Sequence, residues 1–335
     1  MRASRDRKQG IGRTAKERLH MKRLFVTGQS GFVGLAFERM RGHIAAAHGW
    51  ELVSADNPYD LLEPAALDLA IRQARPDAVI HLAGQTFIPE AFRDPAHTLD
   101  VNLKGTLHLL QALQRNAFNG TFLYVSSGDV YGKVNPELLP IGEQLPVRPQ
   151  NPYAVSKAAA ELLCYQWSCN QPWRILVARP FNHIGPGQRE DFVISSVARQ
   201  LARIRQGLQE PRIQVGDVDV SRDFLDVEDV ISAYLALLEN GLNGETYNVC
   251  SGKEYLIRDM IASMLYLTEI DAQIEQDPAR LRPSDLRRVK GSNQKITQAT
   301  AWQPGIPMQQ TLLNVLSDWE SRVAAETATQ GHPRP

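Results

Sequence analysis

Short apolar runs alternate with longer stretches of helical period from Lys22 to Val249. Lys22–Thr27, Glu51–Ala55, Ala78–Leu82, Thr121–Ser126, Arg174–Arg179 and Thr246–Val249 each read as a short strand. These runs are nearly continuous rather than alternating, which predicts strands covered on both faces. Between them lie predicted helices: from the glycines near Gly34 to about His48, Pro64–Ala74, Pro95–Arg115, Tyr153–Ser168 and Val227–Leu238. Strands alternating with helices of about a dozen residues mean βαβ units and a parallel sheet. The class is α/β, with a doubly wound parallel sheet.

From about Asn182 the pattern changes. Val193–Gly207 reads as a helix, Ile213–Gly216 as a short strand, and Ser221–Phe224 as a polar strand or turn. Leu256–Leu267 and Met308–Arg322 are later helices. This predicts a smaller C-terminal substrate domain, residues 182–223 plus 251–322, interleaved with a dinucleotide domain of residues 21–181 plus 224–250. Residues 323–335 are expected to be a disordered tail.

Composition narrows the classes. The 335 residues carry 37 basic and 37 acidic side chains, so nothing advertises a nucleic-acid or membrane partner. No apolar run of the roughly 18 residues needed to span a bilayer occurs. Cys164, Cys169 and Cys250 form an odd set without metal-type spacing, which points to thiols in a reducing cytoplasm and to no metal site. Residues 1–20 stand apart, with Arg2, Arg5, Arg7, Lys8, Arg13, Lys16 and Arg18 against Asp6 and Glu17, just before a second methionine, Met21. They read as a disordered basic extension, a nucleic-acid arm being the sharper alternative.

The first candidate chemistry sits directly after the first strand. Gly28, Gly31 and Gly34, with Ser30, Phe32 and Val33 between them, open the first helix. Glycines at a strand-to-helix turn let backbone approach a pyrophosphate that rests on the helix N-terminus. The spacing is G-x-x-G-x-x-G rather than G-x-G-x-x-G, so the context carries more weight than the triplet. Asp56, read as the end of the second strand, is placed to bond a ribose 2′-hydroxyl. With no arginine in 56–60, this tilts the reading toward NADH over NADPH; Arg39 and Arg41 remain able to reach a phosphate.

The second candidate is Tyr153 with Lys157. A spacing of four puts both on one helix face, and an ammonium beside a phenol favours phenolate and draws the tyrosine pKa down. Alone, such a pair is usually a solvated helix face; the glycine turn and the serine-rich strand end Ser126-Ser127 raise its weight.

Together these residues resemble the extended short-chain dehydrogenase/reductase family, over roughly Lys22 to Trp319. The resemblance rests on the glycine turn, Asp60-Leu61, His81-Leu82-Ala83-Gly84, Asn102, Ser126-Ser127 and Tyr153/Lys157 in that order. It implies a Rossmann sheet binding NADH or NADPH, with Ser127, Tyr153 and Lys157 as the catalytic triad. Asp60 and Leu61 would hold the adenine. Leu82, Ala83 and Gly84 would line the nicotinamide side, with Asn102 and His183 also on the cofactor. His81 reads as core. A homodimer through the helices near Asn102–Asn116 and Tyr153–Ser168 is implied as well.

Runs such as Arg179–Gln188, Ser221–Phe224 and Arg282–Asp285 are similar to the GDP-mannose branch of that family. This implies a GDP-sugar substrate, gripped by Arg222, Arg282, Asp285 and Asn182, with Gln85, Thr86, Ser127 and Gly128 at the sugar. The dehydratases of the branch place a glutamate two residues after the Ser/Thr of the triad; this chain has Asp129 there, one methylene shorter. A base set back by about 1 Å loses much of its effect, whereas ketone reduction needs none. The resemblance, with the short acid favouring a reductase, implies reduction of the C4 ketone of GDP-4-dehydro-6-deoxy-D-mannose to GDP-D-rhamnose, downstream of a GDP-mannose dehydratase. The alternatives are a GDP-sugar dehydratase or epimerase and a non-catalytic dinucleotide-sensing regulator.

Overall fold

The computed structural model describes residues 21–280 and 286–330. The expected basic extension, Arg282, Asp285 and the last five residues of the expected tail lie outside the described residues.

The chain runs β1 (Lys22–Thr27), α1 (Phe32–His48), β2 (Trp50–Val53), α2 (Pro64–Ala74), β3 (Ala78–His81), α3 (Ile88–Arg93), α4 (Pro95–Leu99), a π-turn at Asp100–Lys104, α5 (Gly105–Arg115), β4 (Thr121–Val125), α6 (Pro152–Ser168) and β5 (Arg174–Pro180). There follow β6 (Asn182–Ile184), α7 (Val193–Arg205), β7 (Arg212–Val215), β8 (Ser221–Arg222), β9 (Phe224–Asp226), α8 (Val227–Asn240), β10 (Thr246–Val249), β11 (Tyr255–Leu256), α9 (Ile257–Thr268), β12 (Gln273–Gln276), α10 (Gln294–Thr300) and α11 (Met308–Gln330).

Six parallel strands form the main sheet in the order β10-β5-β4-β3-β1-β2. Side chains of each strand alternate between two cores. Leu24, Val26, Leu123 and Val125 face α1, α8 and α10. Phe25, Val79, Phe122 and Tyr124 face α2, α5 and α6. Strands buried on both sides have no polar face to show, which is why their sequences read as unbroken apolar runs. The chain leaves β1 toward β2 and then crosses back to β3, so the connections diverge between β1 and β3. Ligands of doubly wound sheets bind in the crevice at such a switch point, beyond the carboxyl ends of the strands.

A third core joins α7, α9 and α11 to Ile213, Val215 and Phe224. The chain enters this region at β6, returns through β9 and α8 to supply β10, and leaves again at β11. Among the described residues, no helix is long and apolar enough to cross a membrane.

Three features depart from the expectation. β2 ends at Val53, so Asp56 lies three residues beyond the strand rather than at its end. The helix expected over Pro95–Arg115 is continuous but winds as a π-turn over Asp100–Lys104, the segment that holds Asn102. The closing helix continues through Ala324 to Gln330, where a disordered tail was expected. Val323 is fully buried, and Ala-Ala-Glu-Thr-Ala-Thr-Gln is a helix-compatible run that carries the helix past this anchor.

The tightest packing at the switch point involves two glycines. Gly28 has φ +73°, and a Cβ there would lie 2.9 Å from the Ala83 amide nitrogen. A Cβ on Gly34 would overlap the Gly28 carbonyl oxygen and the Gln29 backbone, none of which can move without opening the turn. Gly34→Ala is expected to destabilise the protein by about 2–4 kcal/mol, read as a drop in the chemical-denaturation midpoint. Parent-like stability would show that the turn has slack.

Candidate active site

The glycine turn has the form of an anion seat. Gly31 is the N-cap of α1 and makes no side-chain cap bond, and no acid stands in the first turn. A Cβ on Gly31 would meet only the Gly28 carbonyl, at 3.3 Å, so the outer side of the turn is open. Unbonded amides at the positive end of a 17-residue helix suit a pyrophosphate. Ser30 and Gly31 are exposed, whereas Phe32 and Val33 are half-buried against the core. The residues fit a dinucleotide.

At the ribose end, Gln29 reaches across to the tail of β2, its Nε2 donating to Ser54 Oγ at 3.1 Å. Ser54, not Asp56, follows the strand directly, and Asp56 is exposed in the loop beyond. The tilt toward NADH therefore loses its geometric basis. Arg39 donates to the Pro186 carbonyl at 2.8 Å, and Arg41 to the Leu52 carbonyl at 2.6 Å and to Glu38. Both guanidinium groups are engaged away from the glycine turn. Asp60 closes an Asx turn onto the Leu62 amide at 2.9 Å, and Leu61 is buried against Gly105.

Beyond β3, the segment Leu82–Thr86 is held by Asn102. Its Oδ1 accepts from the Gln85 amide at 2.7 Å, while Nδ2 donates to the Gln85 carbonyl and to Ser156 Oγ, both at 2.8 Å. Asn102 is thus a clamp between this segment and α6. A Cβ on Gly84 would lie 2.7 Å from Asn102 Oδ1. Gln85 was expected to face sugar. Instead its side chain turns back on its own loop, accepting from the Phe87 amide at 2.6 Å and donating to the Phe87 carbonyl. Thr86 is exposed at the same edge.

Ser127, Tyr153 and Lys157 converge at the carboxyl end of β4. Asn151 caps α6 through the Ala154 amide at 2.7 Å, which fixes the first turn that carries Tyr153. Ser127 Oγ accepts from the Asp129 amide at 3.1 Å and hydrogen-bonds the Tyr153 phenol. Gly128 lies against the Phe181 ring, 3.3 Å from where its Cβ would be. Lys157 is buried, donates to the Val125 carbonyl at 2.8 Å and sits 5.0 Å over the Tyr124 ring.

The electrostatics differ from the expectation. Burial, and then the Asp129 carboxylate, push the Tyr153 phenol well above its ordinary pKa, against the Ser127 hydrogen bond. Lys157 does not draw it down. Its own pKa falls from 10.5 to about 8, because burial outweighs the attraction of Glu161. The ammonium is directed to a main-chain carbonyl rather than to the phenol.

On the substrate side, Asn182 is exposed and opens β6, paired with Phe224. His183 stacks on Phe32 at 5.9 Å and is bonded through Nδ1 to the Phe181 carbonyl at 2.9 Å; burial lowers its pKa. Arg222 is half-buried on β8, and burial lowers its pKa against the fields of Asp129 and Asp217. It therefore faces the same acid as Tyr153. The sequence reading gave Asp223 no role. Its buried carboxylate accepts from the Ser251 amide and hydroxyl and the Gly252 and Gly291 amides, at 2.7–3.1 Å. It pins the loops behind Arg222; the run Ser221–Phe224 marked the segment, but nothing in the sequence told that this acid is structural. Among the described residues, no group of His, Cys, Asp and Glu could hold a metal ion.

The Lys157 charge opposes folding. With a folded pKa of about 8 against 10.5 in the free state, its favourable contribution is full above 10.5 and is lost as pH falls through 8. At pH 7 Lys157→Met should therefore raise stability by about 1–2 kcal/mol, after discounting the Val125 carbonyl left unbonded. The gain should shrink toward pH 10. Lower stability of Lys157→Met at pH 7 would mean that the cation is well solvated.

The family model described as GDP-mannose 4,6 dehydratase matches residues 51–314. GDP-6-deoxy-D-mannose reductase of Pseudomonas aeruginosa is 58% identical over 306 residues, covering 91% of this chain and 99% of its own. GDP-6-deoxy-D-talose 4-dehydrogenase of Aggregatibacter actinomycetemcomitans is 27% identical, covering 82% of this chain and 90% of its own. The structure of RMD from Pseudomonas aeruginosa complexed with NADPH matches with a TM-score of 0.85 at 57% identity, covering 90% of this chain and 100% of its own. The chain belongs to the GDP-mannose 4,6-dehydratase family, within the short-chain dehydrogenases/reductases that its motifs resemble.

Proposed function

We propose that this protein is a nucleotide-sugar 4-ketoreductase that converts GDP-4-dehydro-6-deoxy-D-mannose to GDP-D-rhamnose. The observation that carries this reading is the convergence of Ser127, Tyr153 and Lys157 at the carboxyl end of β4, beside a glycine turn that fits a dinucleotide. A proton donor for ketone reduction must hold its proton until the alkoxide develops, which a phenol does at neutral pH even at its ordinary pKa. The extensive identity to a GDP-6-deoxy-D-mannose reductase supports the same direction.

The bound cofactor, NADH or NADPH, supplies hydride to C4. NADPH is favoured, because β2 ends in Val53-Ser54 without an adjacent acid and the matching relative was solved with NADPH. Gly28, Ser30, Gly31, Phe32, Val33 and Gly34 would hold its pyrophosphate, Asp60 and Leu61 its adenine side, and Leu82, Ala83, Gly84 and His183 the nicotinamide side.

Tyr153 gives its proton to the C4 oxygen. Ser127, whose oxygen already accepts from the Asp129 amide, has its hydroxyl proton to donate and holds that oxygen beside the phenol. Lys157 supplies a desolvated positive field as charge moves onto Tyr153. Arg222 meets the diphosphate, since a guanidinium fork fits phosphate oxygens. Asn182 and Thr86 flank the sugar. Arg282 and Asp285 are further candidates for the nucleotide.

A 4-keto-6-deoxy GDP-sugar is what dehydration of GDP-mannose would yield, so a GDP-mannose dehydratase is the upstream enzyme this reading calls for. The proposed homodimer pairs through the helices near Asn102–Asn116 and Tyr153–Ser168, and the exposed Val155, Leu162 and Tyr165 of α6 support it. Sedimentation at about twice the 37.4 kDa chain mass is expected, and a monomer at micromolar concentration would reject this face as an interface.

Reduced-cofactor absorbance should fall only when a GDP-mannose dehydratase and GDP-mannose are both supplied. Tyr153→Phe should lower kcat by about 10³-fold or more with cofactor affinity retained. Arg222→Gln should raise the KM of the keto sugar more than it lowers kcat. Conversion of GDP-mannose by this protein alone, without net cofactor loss, would make it the dehydratase instead.

A further inference from the structure

A continuous buried hydrogen-bond chain runs beneath the site, through residues given no catalytic part. Thr27 closes β1 immediately before Gly28, His81 closes β3, and Thr106 follows the π-turn in α5. Thr27, His81, Thr106, Asn102 and Ser156 are each at most 2% exposed. The Ala83 amide donates to Thr27 Oγ1 at 3.0 Å. Thr27 Oγ1 lies 2.7 Å from His81 Nδ1, and His81 Nε2 lies 3.1 Å from Thr106 Oγ1. Thr106 Oγ1 donates to the Asn102 carbonyl at 2.6 Å.

These partners fix the direction of every proton. The Asn102 carbonyl can only accept, so it takes the Thr106 hydroxyl proton. Thr106 Oγ1 therefore faces His81 as an acceptor, and Nε2 must carry hydrogen. Burial and the Lys157 charge hold the ring neutral, its pKa lowered to about 3, so Nδ1 is an acceptor. Thr27 must then donate to Nδ1 while accepting from Ala83. One tautomer satisfies every member; a protonated ring would turn the Thr27 hydroxyl proton away from its partner.

The chain has consequences at both ends. Ala83 abuts the glycine turn, where a Gly28 Cβ would approach its nitrogen to 2.9 Å. At the other end, Asn102 Nδ2 donates to Ser156 Oγ at 2.8 Å, and Ser156 Oγ donates to the Tyr153 carbonyl at 2.7 Å. The cofactor turn and the first turn of α6 are thereby joined through six residues rather than through bulk packing.

We propose that His81, locked as its Nε2–H tautomer between Thr27 and Thr106, is a positioning residue that holds the cofactor wall in register with Tyr153 and Lys157. This rests on the ketoreductase reading for its kinetic consequence but not for its structural one. A displacement of about 1 Å between reacting groups can cost as much as a hundredfold in rate, which is the effect such a chain prevents.

Thr27→Val and Thr106→Val keep side-chain volume and remove one link each; Thr27→Ser and Thr106→Ser keep the link. In the coupled assay the valine variants should lose about ten- to a hundredfold in kcat with the keto-sugar KM within about twofold, and the serine variants should recover to within about threefold. Reduced-cofactor affinity, read by nicotinamide fluorescence, should weaken in Thr27→Val and recover in Thr27→Ser. In the full-length parent, ¹⁵N imidazole shifts should report a neutral Nε2–H ring throughout pH 5–8. Valine and serine variants alike in kcat and cofactor affinity, or a His81 ring that titrates within that range, would overturn the proposal. If the parent reduces no keto sugar, the functional reading fails, while the fluorescence and imidazole measurements still decide the role of the chain.

Discussion

A single desolvated ammonium governs much of the architecture. Lys157 is 3% exposed, and its nearest acid on the helix, Glu161, is already bound in two places by Arg179, at 2.9 and 2.6 Å. That pair is itself buried, so the Glu161 charge is largely spent before it reaches Lys157. What remains for the lysine is a carbonyl at the end of β4 and the face of Tyr124. An isolated buried cation costs stability, and the fold tolerates it because α6 is tied to the sheet and to the π-turn at several other points. Asn151 caps its start, Asn102 holds Ser156, and Ala160 and Cys164 sit in the core behind. The helix has no freedom to release the charge to solvent.

The sheet was legible because burial on both faces makes most positions of each strand apolar. All six strands of the sheet and the helices α1, α2, α5, α6 and α8 follow from the apolar runs and the periods between them. What escaped was where elements stop and which way polar side chains turn. β2 ends at Val53, two residues before the expected end, with Ser54 bonded through its side chain to Gln29, and this places Asp56 out of the position that suggested NADH. The π-turn has no compositional sign, since Asp100–Lys104 continues a helical pattern. Gln85 and Arg39 illustrate the second limit. Each has the chemistry of a ligand contact, and each is consumed by a main-chain neighbour, Phe87 or Pro186, that no spacing rule brings close.

The C-terminal region was legible in outline but not in its joints. Its helices announce themselves by period, whereas β8 and β11 are two residues each and pair only because other contacts hold them. Asp223 supplies such a contact by gathering four donors from three separate positions. The region is fastened to the cofactor half by His183 stacked on Phe32 and by Arg39 on Pro186, both involving α1, the helix that would carry the pyrophosphate. Asp229 adds a third tie by accepting from the Gly305 and Ile306 amides. Because these fastenings start from α1 and α8, they set Arg222 opposite Asp129 without a hinge of their own.

On the ketoreductase reading, Asp129 is the residue that separates this site from that of a dehydratase. A carboxylate two positions after Ser127 can serve either as a base toward a sugar carbon or as a fixed charge beside the phenol. In the first role, length decides, and aspartate falls short by about the bond length that separates it from glutamate. In the second, position decides, and aspartate suffices: its field adds to burial in keeping the proton on Tyr153. Taking a proton through this tyrosine as C4 is oxidised and giving one as C4 is reduced are the same transfer in opposite directions, and a raised pKa makes the phenol a weaker acid in both. The phenol therefore serves either enzyme, and the reach of the carboxylate toward C5 is what separates them. Arg222, within the field of that acid, brings a positive charge to the opposite side.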